Sequence, residues 1–193
     1  MGDERLNDSI YLICRRILSW KLFVETCRIY DSTGRLCFVA DQKGFKLSDD
    51  IRLYTDESKK EDALLIQARQ IIRFSAAYDV IDAVTAEKIG AFKRKGWKSL
   101  AIDEWILMDA HDTEIGKIGE NSPVLALLRR YVAALIPQTY HLELENSPVC
   151  TFKQIFSPFA LKLSVDFSPD FRQQLDRRLG IAAGVLLCAV CMR

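Results

Sequence analysis

The sequence predicts a mainly β fold, antiparallel strands packed on one apolar C-terminal helix, in a single domain over residues 1–193. Three observations carry this. Short apolar or alternating runs, rich in Ile, Val, Phe, Tyr and Trp and broken by turn residues, fill residues 11–108. One hairpin layout recurs three times in the chain. Residues 179–192 are apolar on every side, and a helix without a polar face has to be surrounded.

The first hairpin places Asp31-Ser32-Thr33-Gly34 between the run ending at Tyr30 and Leu36-Cys37-Phe38-Val39-Ala40, with Gly34 available for a positive φ. The second leads from Tyr78-Asp79-Val80-Ile81-Asp82 through a turn to Lys88-Ile89-Gly90-Ala91-Phe92. The third joins Leu107-Met108-Asp109-Ala110-His111-Asp112 to Glu114-Ile115-Gly116-Lys117-Ile118. Such echoes suggest a sheet built by repetition. Two later strands alternate cleanly: Tyr140, Leu142 and Leu144 face one way and His141, Glu143 and Glu145 the other, while Leu161, Leu163, Val165 and Phe167 repeat the device. Alternation of this kind means one wet and one buried face.

Two helices are predicted. In the first, Ser122 caps and Pro123 starts a segment near 122–136 whose Val124, Leu127, Leu128, Tyr131 and Leu135 share one face, until Pro137 stops it; it belongs on the surface. The second starts at Ser168-Pro169, is polar through Arg178, and then buries Leu179, Ile181, Val185, Leu186, Leu187 and Val190. Its apolar run of residues 179–192 falls short of the ~20 residues a membrane span needs. Gly180 and Gly184 have the spacing that lets membrane helices approach closely, and the same spacing lets strands press on a core helix. The buried-core reading is preferred; a membrane segment is the alternative.

Composition bounds the function. A chain that is 49% hydrophobic and 27% charged has the makings of a core and of a wet surface, which excludes long disorder. With 27 Lys+Arg against 26 Asp+Glu the net charge is +1, so nothing attracts nucleic acid globally and none is expected as a partner. The acidic start Met1-Gly2-Asp3-Glu4-Arg5 lacks the apolar stretch of a secretory signal, and Leu6 stands where a myristoylation motif wants Ser or Thr. A cytoplasmic protein is expected, with its six cysteines as buried thiols.

Taken together, Ile29-Tyr30-Asp31-Ser32-Thr33-Gly34, the echoing Tyr78-Asp79-Val80-Ile81-Asp82, Ile89-Gly90-Ala91-Phe92-Lys93-Arg94-Lys95 and the terminal apolar helix give the chain a pattern over nearly its whole length. It resembles the LURP-one-related and phospholipid scramblase proteins, which share the tubby-like fold. The resemblance implies a closed antiparallel barrel of about a dozen strands wrapped around a hydrophobic C-terminal helix. The chain departs from the scramblases in two respects. Where they carry an acidic calcium-binding stretch, this chain has only Asp166, Asp170 and Asp176, without the alternating ligands and tight glycine turn of a calcium loop. The cysteine-rich and Pro-rich leader is also absent, so calcium-driven scrambling is not expected. The helix at 122–136 is not a part associated with the plant members.

Tubby proteins bind phosphoinositide headgroups through basic side chains on the barrel, and the resemblance directs attention to Lys93, Arg94, Lys95 and Lys98, with Trp97 beside them. Four cations on one turn suit a multiply charged phosphate. The simpler reading is a solvated hairpin end, since phosphate sites usually draw donors from several elements. Arg129 and Arg130 fit the wet side of the first helix. Cys188-Ala189-Val190-Cys191 has zinc or redox spacing but lies at the far end of an apolar helix without a second ligand pair, so these cysteines read as packing residues. His111 and His141 are too few for a metal site, Gly96-Trp97-Lys98-Ser99 fails the phosphate-loop order, and no catalytic group, cofactor or metal is singled out. The expectation is a non-enzymatic module that binds a phosphoinositide, another anionic lipid or a protein on the barrel exterior, peripheral to a membrane. A membrane-anchored scramblase-like protein is the alternative.

Overall fold

A computed structural model of the chain describes residues 3–16, 24–43, 50–69, 77–95, 104–120 and 137–191. Twelve strands follow in chain order: β1 (Ile10–Arg16), β2 (Val24–Asp31), β3 (Leu36–Lys43), β4 (Ile51–Tyr54), β5 (Asp62–Ala68), β6 (Ala77–Asp82), β7 (Lys88–Arg94), β8 (Trp105–Asp109), β9 (Glu114–Glu120), β10 (Thr139–Leu144), β11 (Ser147–Ile155) and β12 (Ala160–Asp166). Each pairs antiparallel with its sequence neighbours, and β1 pairs with β12. The chain is thus mainly β, a closed antiparallel barrel of twelve strands with one C-terminal helix. Closure leaves no open edge to recruit a foreign strand.

Because the strands go up and down in sequence order, all odd-numbered strands run the same way and end at one rim, here called the lower rim. The upper rim carries the turns after the even strands, at 31–35, 55–61, 83–87, 110–113 and 145–146. All three echoed hairpins close at this rim, and each is closed by the same device. The carboxylate Oδ1 of Asp31 accepts hydrogen bonds from the backbone N–H of Thr33 (3.0 Å) and Arg35 (2.9 Å). Oδ1 of Asp82 accepts from Val84 (2.8 Å) and Thr85 (3.1 Å), and that of Asp109 from His111 (2.8 Å) and Thr113 (2.9 Å). An aspartate at the strand end satisfies turn amides that the ladder cannot reach. Gly34 has φ +84°, the positive value expected for it.

β10 and β12 bury one face in the alternation the sequence predicts, while β3, β7 and β8 carry runs of consecutive buried residues. The aromatic rings of Tyr11, Phe38, Tyr78, Phe92, Trp105, Tyr140 and Phe152 belong to this core. A small second cluster, Ala91, Ile106 and Met108, lies on the opposite face of β7 and β8 from Phe92 and Leu107.

The C-terminal helix α1 (Arg177–Leu186) continues as a turn of π-helix through Leu187–Cys191. Leu179, Ile181, Val185, Leu186 and Leu187 are buried in one apolar cluster that also holds residues of all twelve strands, and the half-buried Val190 packs against it. The glycines allow close approach: a Cβ on Gly184 would come within 2.7 Å of Ile13 Cδ1 and 3.1 Å of Val165 Cγ2, and one on Gly180 would strike the Phe167 ring. Among the described residues, no helix is long and apolar enough to cross a membrane.

The helix does not start at Ser168 as its Ser-Pro signal predicts. Asp166 Oδ1 accepts from Ser168 N–H (2.8 Å), the buried Asp170 accepts from Gln174 and Leu175 N–H (2.9 Å each), and Gln173 adopts φ 52°. These bonds turn the chain before it can wind, and Asp176 becomes the cap, accepting from Arg178 N–H at 2.9 Å. The expected surface helix at 122–136, with Arg129 and Arg130, lies outside the described residues.

Candidate functional site

The basic group expected from the sequence is the C-terminal end of β7, at the lower rim. Phe92 is buried in the main core, so Lys93 next to it points to the outer face, opposite Ile106 in the ladder. Its ammonium is exposed and has no ion pair or hydrogen bond among the described residues. Arg94 is half-buried and already has a partner. Lys95 is paired with Glu104 at 2.8 Å, in a position where both side chains meet water. Such an exposed pair is worth about 0–1 kcal/mol, little enough for a phosphate to compete for the lysine. Lys98 and Trp97 lie outside the described residues. Lys93, Arg94 and Lys95 thus follow one another at the end of β7, with Lys93 on the outer face and Arg94 on the other, and among the described residues Lys93 is without an ion pair.

From Lys95 an outer furrow of about 230 Å³ runs across β8, β9 and β10, bounded by Glu104, Glu114, Lys117, Glu143 and Asn146. Gly116 lends only backbone to it: its Cβ position lies on the core face, against the buried Leu144 side chain and the carbonyl oxygen of Glu143. Lys117 is held by Glu143 at 3.3 Å. With Lys95 and Lys117 against Glu104, Glu114, Glu143 and Glu145 the furrow is more acidic than basic, and Lys93 does not line it.

The upper rim offers a different surface. A cleft of about 740 Å³ opens beside the start of α1, with Leu6, Phe38, Ala63, Leu64 and Val84 as its apolar part. Both arginines in its lining are engaged. Arg178 reaches Asp82 (2.5 Å) and Asp176 (2.6 Å), while Arg5 is held by Asp3 at 2.8 Å and lies over the Phe38 ring. Burial works against the charge on Asp82, yet hydrogen bonds from Thr85, Val84 and Arg178 hold its pKa below the ordinary carboxylate value. The cleft thus presents apolar surface and carboxylate acceptors rather than free cations. Sequence reasoning did not find it, because its residues come from five separate segments and no local spacing joins them.

Some of the other ionisable groups pair with one another. Arg69, Asp79, Lys88 and Asp112 form one network, with Lys88 2.7 Å from Asp112 and Arg69 2.5 Å from Asp79. Asp166, Asp170 and Asp176, the residues standing where a calcium stretch was considered, spend their oxygens on turn amides and on Arg178. Among the described residues no group of three His, Cys, Asp or Glu is arranged to hold a metal ion. Cys188 is buried and the side chain of Cys191 lies outside the described set. Burial pushes the Cys150 thiol far up, so it stays protonated and inert. His111 sits on the β8–β9 turn, and His141 Nδ1 is 3.2 Å from Thr151 Oγ1 on the outer face of β10 and β11.

Compared with protein-family models and with curated proteins, the chain matches none.

Proposed function

We propose that the chain is a tubby-like module of the LURP-one-related and scramblase kind, with α1 filling the lumen of the barrel, and that it acts by binding rather than by catalysis. Its ligand is a phosphoinositide or another anionic lipid headgroup, taken on the barrel exterior at the lower rim, which makes it a cytoplasmic protein peripheral to a membrane. The lumen reading is supported by the burial of Leu179, Ile181, Val185, Leu186 and Leu187 within the same cluster as core residues from all twelve strands. The binding reading is carried by one observation: Lys93 projects outward from the end of β7 without an ion pair among the described residues, next to Arg94 and to a Lys95 that is only weakly engaged. Phosphate chemistry wants convergent cations, and a lone exposed lysine beside a releasable one is where such convergence starts.

Liposome co-sedimentation tests it. Replacing Lys93, Arg94, Lys95 and Lys98 by Ala is expected to weaken binding to phosphoinositide-containing vesicles by tenfold or more, at about 1 kcal/mol per basic residue near the surface. Unchanged binding would remove the site. A protein partner with an acidic face would use the same cations and shows up as loss of that complex in the same variant. The alternative, a scramblase-like protein that inserts residues 179–192 into a membrane, is separated by carbonate extraction: an inserted segment keeps the protein in the pellet, whereas a core helix releases it.

A further inference from the structure

Half of the exposed large hydrophobic side chains among the described residues sit on one hairpin tip. The β11–β12 connection is Phe156-Ser157-Pro158-Phe159; Phe156 is 63% and Phe159 73% exposed, and Ile155 at the end of β11 is 43% exposed. None of the three belongs to a buried cluster. A Ser-Pro turn closes a hairpin without phenylalanines, and contiguous exposed apolar groups mark a surface that meets something.

Two lysines stand beside the tip. Lys162 lies directly opposite Ile155 in the ladder, and Lys153, two residues before Ile155, projects from the same outer face. Neither makes an ion pair or hydrogen bond among the described residues. The upper rim has exposed apolar residues too, but singly: Val84 lies between Asp82 and Glu87, and Phe171 has Arg172 over its ring at 5.4 Å. An acidic surface is repelled around Val84 and attracted at the tip. Since β7 and β11 both end at the lower rim, Lys93 and the tip address the same plane.

We propose that the lower rim docks on an anionic bilayer with the β11–β12 tip inserted: Ile155, Phe156 and Phe159 enter the interface while Lys153 and Lys162 meet acidic headgroups. The inference rests on the lipid reading above and adds the element that enters the membrane. Phenylalanine in the interfacial zone gains from leaving water, about tenfold in affinity or more per ring, and each lysine near an anionic surface adds about fivefold. A tip of three apolar residues cannot anchor alone, so attachment is reversible, needs acidic lipid and weakens with salt.

The full chain is mixed with vesicles of phosphatidylcholine, alone or with phosphatidylserine, and injected beneath a monolayer of the same lipids held at constant area, where a pressure rise reports insertion. The wild type is expected to sediment with the mixed vesicles only and to raise the pressure. Phe156→Ser with Phe159→Ser, its fold checked by circular dichroism, is expected to lose at least about tenfold in binding and the pressure rise with it, whereas Phe171→Ser at the other rim changes neither. If the tip variant binds and penetrates like the wild type, the tip inference is overturned and the headgroup reading stands. If the tip variant fails while the Lys93, Arg94, Lys95 and Lys98 replacement binds normally, the tip stands and the headgroup site falls. No binding of the wild type to either vesicle overturns the tip inference, while the phosphoinositide-containing vesicles above decide the headgroup reading, and a dimer in solution that the tip variant dissociates would then assign the tip to a second copy of the chain.

Discussion

At the residue scale the upper rim is built by aspartates that end a strand and fold back on their own turn. Asp31 is the fullest case: besides two backbone amides it accepts from Thr33 Oγ1 at 2.6 Å and from Arg35 Nε at 3.0 Å. The hydrogen bond from the Thr33 hydroxyl, with those from Arg35, holds its pKa at about 2. Asp109 is lowered by the Thr113 amide above all, and Asp82, Asp79 and Asp112 are also below the ordinary value. A carboxylate whose pKa is lower folded than unfolded stabilises the fold above its unfolded value, about 3.9, and that contribution disappears as pH falls toward the folded value. The thermal midpoint is therefore expected to be flat down to about pH 5 and to fall between about pH 4 and pH 2, with Asp31→Asn losing part of that dependence. A midpoint indifferent to pH across this window would mean that the turns close without their carboxylates. Asp31, Asp82 and Asp109 are visible in the sequence as turn residues. Their pairing with specific amides is not, because it depends on where the chain goes two to four residues later.

The element that the sequence specifies best is α1, and the reason is physical. Gly180, Ile181, Ala182, Ala183, Gly184 and Val185 leave no polar side for water, so the segment had to be enclosed whatever surrounds it. Its start was misread because Ser168-Pro169 carries a helix-start signal that the Asp166 and Asp170 turns override. β11 escaped notice because Pro148 interrupts its pattern near the first residue, beside a register shift, where a strand tolerates proline. The two glycines of α1 are not equivalent. At Gly180 an added methyl strikes the ring of Phe167, which is buried and carries the Arg177 guanidinium 4.4 Å from its centre. At Gly184 it meets the far end of the Ile13 side chain and, less closely, Val165 Cγ2, aliphatic ends that give more readily than a ring. Gly180→Ala is expected to lose about 1–3 kcal/mol through overpacking. Gly184→Ala is expected to come out near neutral, because about 1 kcal/mol of helix propensity offsets the crowding. Urea midpoints of the two variants check this, and equal midpoints would show that Phe167 yields as readily as Ile13.

On the scale of the whole molecule the two rims of the barrel differ in their surface groups, and α1 shares the core between them. The closed topology could be anticipated only through the family resemblance; the strand patterns themselves predict antiparallel pairs, and nothing local dictates that β1 meets β12 across the entire chain. The features proposed to meet lipid were half legible. Lys93, Arg94 and Lys95 stand out as a run, whereas Phe156 and Phe159 look like ordinary strand-end aromatics until their exposure is measured. What joins the ends is one apolar cluster to which α1 contributes Leu179, Ile181, Val185, Leu186 and Leu187. At about 1.5–3 kcal/mol for each such side chain, five of them supply about 10 kcal/mol, the size of the entire net stability of a typical domain. The strand residues that pack on them, Tyr11, Ile13, Phe152 and Val165 among others, would lose their cover at the same time. A chain ended after Asp176 is therefore expected to lose its cooperative unfolding transition and its near-ultraviolet circular dichroism, to bind a hydrophobic dye and to aggregate. Should that shortened chain instead unfold cooperatively with native-like spectra, the twelve strands close a core of their own, α1 is an accessory to it, and the lumen-filling role proposed for the helix is wrong.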